Sequence, residues 1–196
     1  GGKFPRQTAE LKPIMQRHGL AVISGWYDGR CDEKDVSAEM DAITPHLQLL
    51  KDMGSTHVVY ADTSRGRHGA IWDPISRRPA LKAEEWPTYG RKLTQLAERM
   101  ADFGVRMAFH HHMGTIIETD AEVGLLMKHT GEAVGLLYDT GHSTFSGGDA
   151  LQRMDAIEAE LTRPVQPSIP PVDCEKLRRC VQNLKERERT VVVMTL

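Results

Sequence analysis

Four times before residue 142, apolar residues at helical spacing lead to a glycine, then to a short apolar run, and then to a cluster of polar residues. A glycine just past a helix accepts the left-handed backbone that closes it, and strands alternating with helices require a parallel sheet of αβ units. Leu11, Ile14 and Met15 mark a first helical face that stops at Gly19, before a strand expected over residues 20–26 (LAVISGW). Met40, Ile43, Leu47 and Leu50 lead to Gly54 and the strand 57–61 (HVVYA), and Tyr89, Leu93, Leu96 and Met100 lead to Gly104 and the strand 105–109 (VRMAF). Residues 119–122 (TDAE) form a capping box ahead of Val123, Leu126 and Met127; Gly131 closes that helix, and 134–138 (VGLLY) is the fourth strand.

Parallel sheets in α/β proteins carry their chemistry at the carboxyl ends of the strands. The polar clusters fall there: Trp26, Tyr27 and Asp28 after the first strand, Asp62, Thr63 and Ser64 after the second, His110, His111 and His112 after the third, and Asp139 to His142 after the fourth. Strand alternation sends His110 and His112 to one face with Ala108, while Met107 and Phe109 face the helices. Three adjacent imidazoles after a buried strand are costly unless they hold a metal, a substrate or one another's protons. Asp139 and His142 stand in a D-T-G-H motif where the fourth strand breaks, delivering a carboxylate suited to a hard cation beside an imidazole; the plainer alternative is an Asp capping its own turn. Ser146 to Asp149 resemble an anion-binding turn, with Asp149 better read as a helix N-cap. Arg65, Arg67, Arg77 and Arg78 sit in a polar loop and are expected to be solvated.

The balance of 25 Lys and Arg against 27 Asp and Glu, a net charge of -2, lacks the basic excess of nucleic-acid or polybasic membrane binders. No apolar window approaches the roughly 20 residues of a membrane span, and Cys31, Cys174 and Cys180 form neither an even disulfide set nor paired metal clamps, so a reducing, cytoplasmic setting is expected. Two regions are expected, a catalytic one over 1–150 and a divergent tail over 151–196, the latter holding a helix to about residue 161, a linker with four prolines at 162–171, a charged helix over 174–189 and a strand or frayed end at 191–196. Taken from residues alone, the chain is a metal-assisted enzyme on a parallel α/β scaffold, with His and Asp ligands and a polyhydroxylated or carbonyl substrate.

The segments 109–115 (FHHHMGT), 135–142 (GLLYDTGH) and 147–149 (GGD), with GGKFP at the start, 19–27 (GLAVISGWY) and 57–64 (HVVYADTS) in the same order, resemble the inosose dehydratases, which belong to the xylose isomerase-like TIM barrels. The resemblance implies a (β/α)8 barrel of which this chain holds part, truncated at both ends, with an irregular C-terminal tail. It further implies a Mn or Co cofactor and dehydration of 2-keto-myo-inositol, a small cyclic polyol ketone, to a dione in inositol catabolism. By the same comparison Asp139 matches a metal ligand; His110 falls where the wider group has a carboxylate ligand. His142 matches a substrate-contacting position, and Trp26, His111 and Thr115 line the substrate. His112 and His142 are the expected proton-transfer residues, since removal of water beside a ketone proceeds by loss of the α-proton and acid-assisted loss of the β-hydroxyl. The alternatives are a sugar isomerase or epimerase of the same superfamily, an inactive fragment, and a small open-sheet α/β binding module. An open half barrel exposes strand edges, so self-association into a homo-oligomer is expected.

Overall fold

The computed structural model describes residues 4–67 and 72–154; the expectations for the linker, the charged helix and the terminal strand lie outside them, as do Cys174 and Cys180. In chain order the elements are α1 (Thr8–Arg17), β1 (Trp26–Gly29), α2 (Val36–Asp52), β2 (His57–Asp62), a 3-10 turn (Ile75–Arg77), α3 (Trp86–Phe103), β3 (Arg106–His110), α4 (Asp120–His129), β4 (Val134–Leu137) and α5 (Thr140–Phe145). The four strands form one parallel sheet in the order β1-β2-β3-β4, so each pairs with its neighbour in sequence, as consecutive units of a (β/α)8 barrel do. Among the described residues no helix is long and apolar enough to cross a membrane.

The two faces of this sheet differ as strand alternation requires. Val58, Tyr60, Met107 and Phe109 are buried in one core with Ile43, Leu47 and Leu50 of α2 and Leu93, Leu96 and Met100 of α3. Each large apolar side chain so buried contributes about 1.5–3 kcal/mol, which is what holds the helices to one side of the sheet. The other face carries Val59, Ala108 and His110 and is left for the site. Gly104 closes α3 with φ at +104°, a conformation that favours glycine. Thr119 and Glu122 form the expected capping box, each side chain accepting from the other's backbone N–H.

Three local expectations are corrected. The first strand begins at Trp26 rather than residue 20, because the register pairs Trp26 with Val59 and residues before Ser24 run past the start of β2; Leu20 and Ile23 are accordingly exposed. Trp26, Tyr27 and Asp28 therefore lie within the strand, not after it. Gly131 does not close α4, whose C-cap is Thr130 in an extended conformation; instead its amide donates to Thr94 Oγ1 at 2.9 Å, and an added Cβ would meet Thr94 Cγ2 at 2.9 Å, so the glycine permits close approach of α3. The turn at residues 146–149 is not an anion site, since the Gly147 and Gly148 amides already donate to Thr144 and Ser143 carbonyls, and Asp149 caps the following residues by accepting from Gln152 N at 3.0 Å.

Candidate metal and polyol site

β3 ends at His110 and the chain turns away over His111 and His112, while the break after β4 starts α5 at Thr140; these two strand ends bring four of the expected residues together. His110, His112 and His142 each offer a ring nitrogen, and the three nitrogens lie within 4.8 Å of one another. Their rings approach edge to face or tilted, with centroids 5.8 Å apart for His110 and His112, 5.2 Å for His110 and His142, and 4.2 Å for His112 and His142. His112 Nδ1 donates to the Met113 carbonyl at 2.8 Å, which puts its acceptor lone pair on Nε2. His110 Nδ1 and His142 Nδ1 are buried without a hydrogen-bond partner. Unpaired buried ring nitrogens cost free energy unless something completes them.

Burial, reinforced by repulsion from His142, pushes the His110 imidazole down to about 4 against the opposing charge of Asp139. His142 is lowered by burial and then by His112, and His111 by burial against its bond to the Glu118 carbonyl. His110, His111 and His142 are thus favoured in the neutral state, the one a metal ligand requires. Three converging imidazoles, two with unsatisfied nitrogens, fit a divalent transition metal.

Asp139 stands at the edge of this cluster. Its Oδ1 accepts from the His142 amide at 2.9 Å and caps α5, while its Oδ2 lies 3.9 Å from His142 Nε2. The expected metal carboxylate is therefore also the turn-capping Asp of the plainer reading, and it is outside the trio of converging nitrogens. Burial alone would raise its carboxyl, but the His142 amide and the charges of His142 and His110 outweigh that and hold it below the ordinary range. Trp26 packs edge-on against His110 at 5.2 Å and His112 at 5.6 Å, so it walls one side of the cluster.

His111 and Thr115 sit behind the cluster instead of in it, because the segment after β3 folds back under its own loop. His111 is fully buried; its Nε2 accepts from the Asp139 amide at 2.9 Å, which fixes the proton on Nδ1, facing the Glu118 carbonyl at 3.2 Å. Its ring stacks on Tyr138 with centroids 5.1 Å apart, and the Tyr138 hydroxyl reaches Asp120 and Ser143. The Thr115 hydroxyl faces the carbonyls of His112 and Ile117 at 2.8 and 3.0 Å.

Arg78 is the residue whose part was missed. Far from being solvated, it pairs with Glu118 at 3.1 Å and Glu122 at 2.8 Å and reaches the Thr115 carbonyl at 3.2 Å. Glu118 in turn accepts from the Gly114 amide, so this clasp holds the loop that carries His111 and His112. The only signal in the sequence was the four-residue spacing of Glu118 and Glu122. Arg65 pairs with Asp32 at 2.7 Å and Arg67 with Asp73, and both stay exposed, as does Arg77; Arg78 alone of the four is withdrawn from solvent. A second acidic group lies beside the site: Asp62 and Glu39, both buried, accept from the Tyr89 and Tyr60 hydroxyls and from the Asp32 and Arg30 amides, fixing the loop after β1.

Residues 3–173 match the family described as the xylose isomerase-like TIM barrel. Over 149 residues the chain is 66% identical to the rhizopine catabolism protein MocC of Rhizobium meliloti, covering 76% of this chain and 46% of that protein. Over 153 residues it is 35% identical to the inosose dehydratase of Geobacillus thermodenitrificans, covering 77% and 51%. The chain spans about half the length of these curated relatives. Among solved structures, it resembles the 3-keto-D-glucoside 4-epimerase YcjR of E. coli with a TM-score of 0.58 at 16% identity, covering 89% of this chain and 72% of that one. It also resembles the probable 3-DHS dehydratase AsbF of Bacillus anthracis with a TM-score of 0.55 at 13% identity, covering 75% and 50%; both likenesses concern the fold.

Proposed function

The chain belongs to the xylose isomerase-like TIM barrel family, and from that membership we propose that it carries the site of a metal-dependent hydro-lyase acting on a cyclic polyol ketone, 2-keto-myo-inositol. The observation that carries this reading is the convergence of His110, His112 and His142 within 4.8 Å at the carboxyl end of the sheet. These three imidazoles would hold Mn or Co. A divalent cation there supplies Lewis acidity, taking up the negative charge that develops on the ketone oxygen as the α-proton leaves.

The chain's own residues do the rest. Trp26 walls the imidazoles and excludes water from one side. With the imidazoles committed to the metal, the acid–base role expected of His112 and His142 falls to Asp139, whose Oδ2 lies beside the trio. That carboxylate would accept the α-proton on Oδ2 and hand it to the departing β-hydroxyl, which leaves as water. Its Oδ1, held by the His142 amide, fixes the carboxylate so that Oδ2 is presented in one orientation. His111 is a positioning residue that holds the Asp139 peptide from behind. The dehydratase names among the relatives support the loss of water rather than an epimerase's return of the proton.

The test is turnover of 2-keto-myo-inositol by the 196-residue chain with Mn or Co, against a chelator control, with product analysis. The expected result is metal-dependent loss of water to the dione. Epimerised product, or no turnover beside an active full-length relative, overturns the proposal.

A further inference from the structure

One carboxylate on the site face has no part in the chemistry so far. The registers pair Asp28 with Ala61 and His110 with Leu137, while Tyr60 pairs with Phe109. Asp28, Ala61, His110 and Leu137 therefore occupy one level of the sheet, and Trp26, Val59, Ala108 and Gly135 the level before it. Residues two apart on a strand share a face, so Asp28 is on the face of Trp26, Ala108 and the imidazoles. Two strand spacings, about 10 Å, separate the backbones of Asp28 and His110. Ala61, on the strand between them, is fully buried, and the Trp26 indole spans the interval, with its Nε1 on Asp28 and its ring against His110.

The Asp28 side chain is oriented. Trp26 Nε1 donates to Asp28 Oδ1 at 2.8 Å, and the same indole touches His110 and His112 edge-on. Asp28 is exposed, and among the described residues this is the hydrogen bond its carboxylate makes to a side chain. A carboxylate is an acceptor only and matches hydroxyl donors. An aromatic surface with an acceptor at one end and a metal-binding cluster at the other is what a ring bearing hydroxyls on its remote edge requires.

We propose that Asp28 is a specificity-determining residue that accepts hydroxyl groups of the polyol at the edge remote from the imidazoles, with Trp26 fixing its orientation. This rests on the polyol reading of the site given above. The experiment is calorimetric titration of myo-inositol, an unreactive polyol, into the Mn-loaded 196-residue chain, its Asp28→Asn and Asp28→Ala variants, and Trp26→Phe, with Mn affinity measured on each. Asp28→Asn, isosteric at an exposed position, and Asp28→Ala are expected to weaken myo-inositol roughly tenfold or more while leaving Mn affinity unchanged, since a hydrogen bond to a charged group is lost. Trp26→Phe is expected to weaken it less. Unchanged myo-inositol affinity in both Asp28 variants overturns the assignment alone, as does an equal loss of Mn and myo-inositol affinity. No myo-inositol binding by the parent Mn-loaded chain overturns it together with the polyol reading.

Discussion

The Asp139 amide donates to His111 Nε2 at 2.9 Å, joining the ends of β3 and β4 through a ring with no exposed surface. Both ring nitrogens are used by backbone groups, so the middle histidine of the run is a strut, flanked by two histidines that face the site. This is how three consecutive imidazoles divide their work by strand parity.

Replacing His111 with Phe keeps the ring and its stacking on Tyr138 but leaves the buried Asp139 amide and Glu118 carbonyl unpaired. The expected loss is about 1–3 kcal/mol of stability, measured by urea unfolding at constant m-value. Metal affinity is expected to fall roughly tenfold or more, because partners behind the ligands hold their geometry; His111→Phe with parental stability contradicts the strut.

Replacing Asp139 with Asn separates two roles. If Oδ2 accepts the substrate proton, turnover falls by roughly a hundredfold or more while metal affinity, measured by titration, changes little. A loss of metal affinity in proportion to the loss of turnover would return Asp139 to the ligand set.

The buried histidines are expected to cost the metal-free chain stability as pH falls, against the opposite contribution of Asp62, whose carboxyl burial pushes up to about 6. His110 titrates near 4 in the fold against 6.5 when unfolded, and His111 and His142 are lowered too. Between those values these histidines bind more protons in the unfolded chain, so their contribution is fully present above about 6.5 and is lost as pH falls toward about 4, which the difference between parent and His110 variant isolates. His110 alone is worth on the order of 3 kcal/mol. Urea midpoints across that window test the slope, which His110→Phe is expected to flatten.

Truncating Arg78 to Met strands two partly buried carboxylates, Glu118 and Glu122, whose side chains are 12% and 14% exposed. The expected cost is about 2–4 kcal/mol, read by thermal or urea unfolding, with Arg78→Lys recovering part of it because one charge returns without the planar fork. Equal stability of Arg78→Met and the parent would show that the clasp is not formed in solution.

Much of this was legible because strand parity and helix punctuation are local. The alternation of Met107 and Phe109 against Ala108 and His110 predicted which face meets the helices, and TDAE predicted the start of α4. The grouping of His112 and His142 with His110 was less legible: parity places His110 and His112 on one face, but the approach of His142 depends on α5 turning back over the end of β4. Asp139 as a cap and as a site carboxylate were two readings of one residue, and the fold realises the first, with Oδ2 3.9 Å from His142 Nε2. Arg78 was hardly legible, since its partners lie 40 and 44 positions away across another strand and only their own four-residue spacing hinted at a shared cation. The early start assigned to the first strand failed because propensity does not reveal where the partner strand begins.

The most direct test of the central claim is a titration of the metal-free 196-residue chain with Co, followed by its visible absorption and by calorimetry, on the parent and on His110→Ala, His112→Ala and His142→Ala. The account predicts one Co per parent chain in a nitrogen-rich environment, with affinity reduced by orders of magnitude in each variant while the variants remain folded by circular dichroism. Absence of Co binding by the folded parent, or binding that survives all three substitutions, would contradict it.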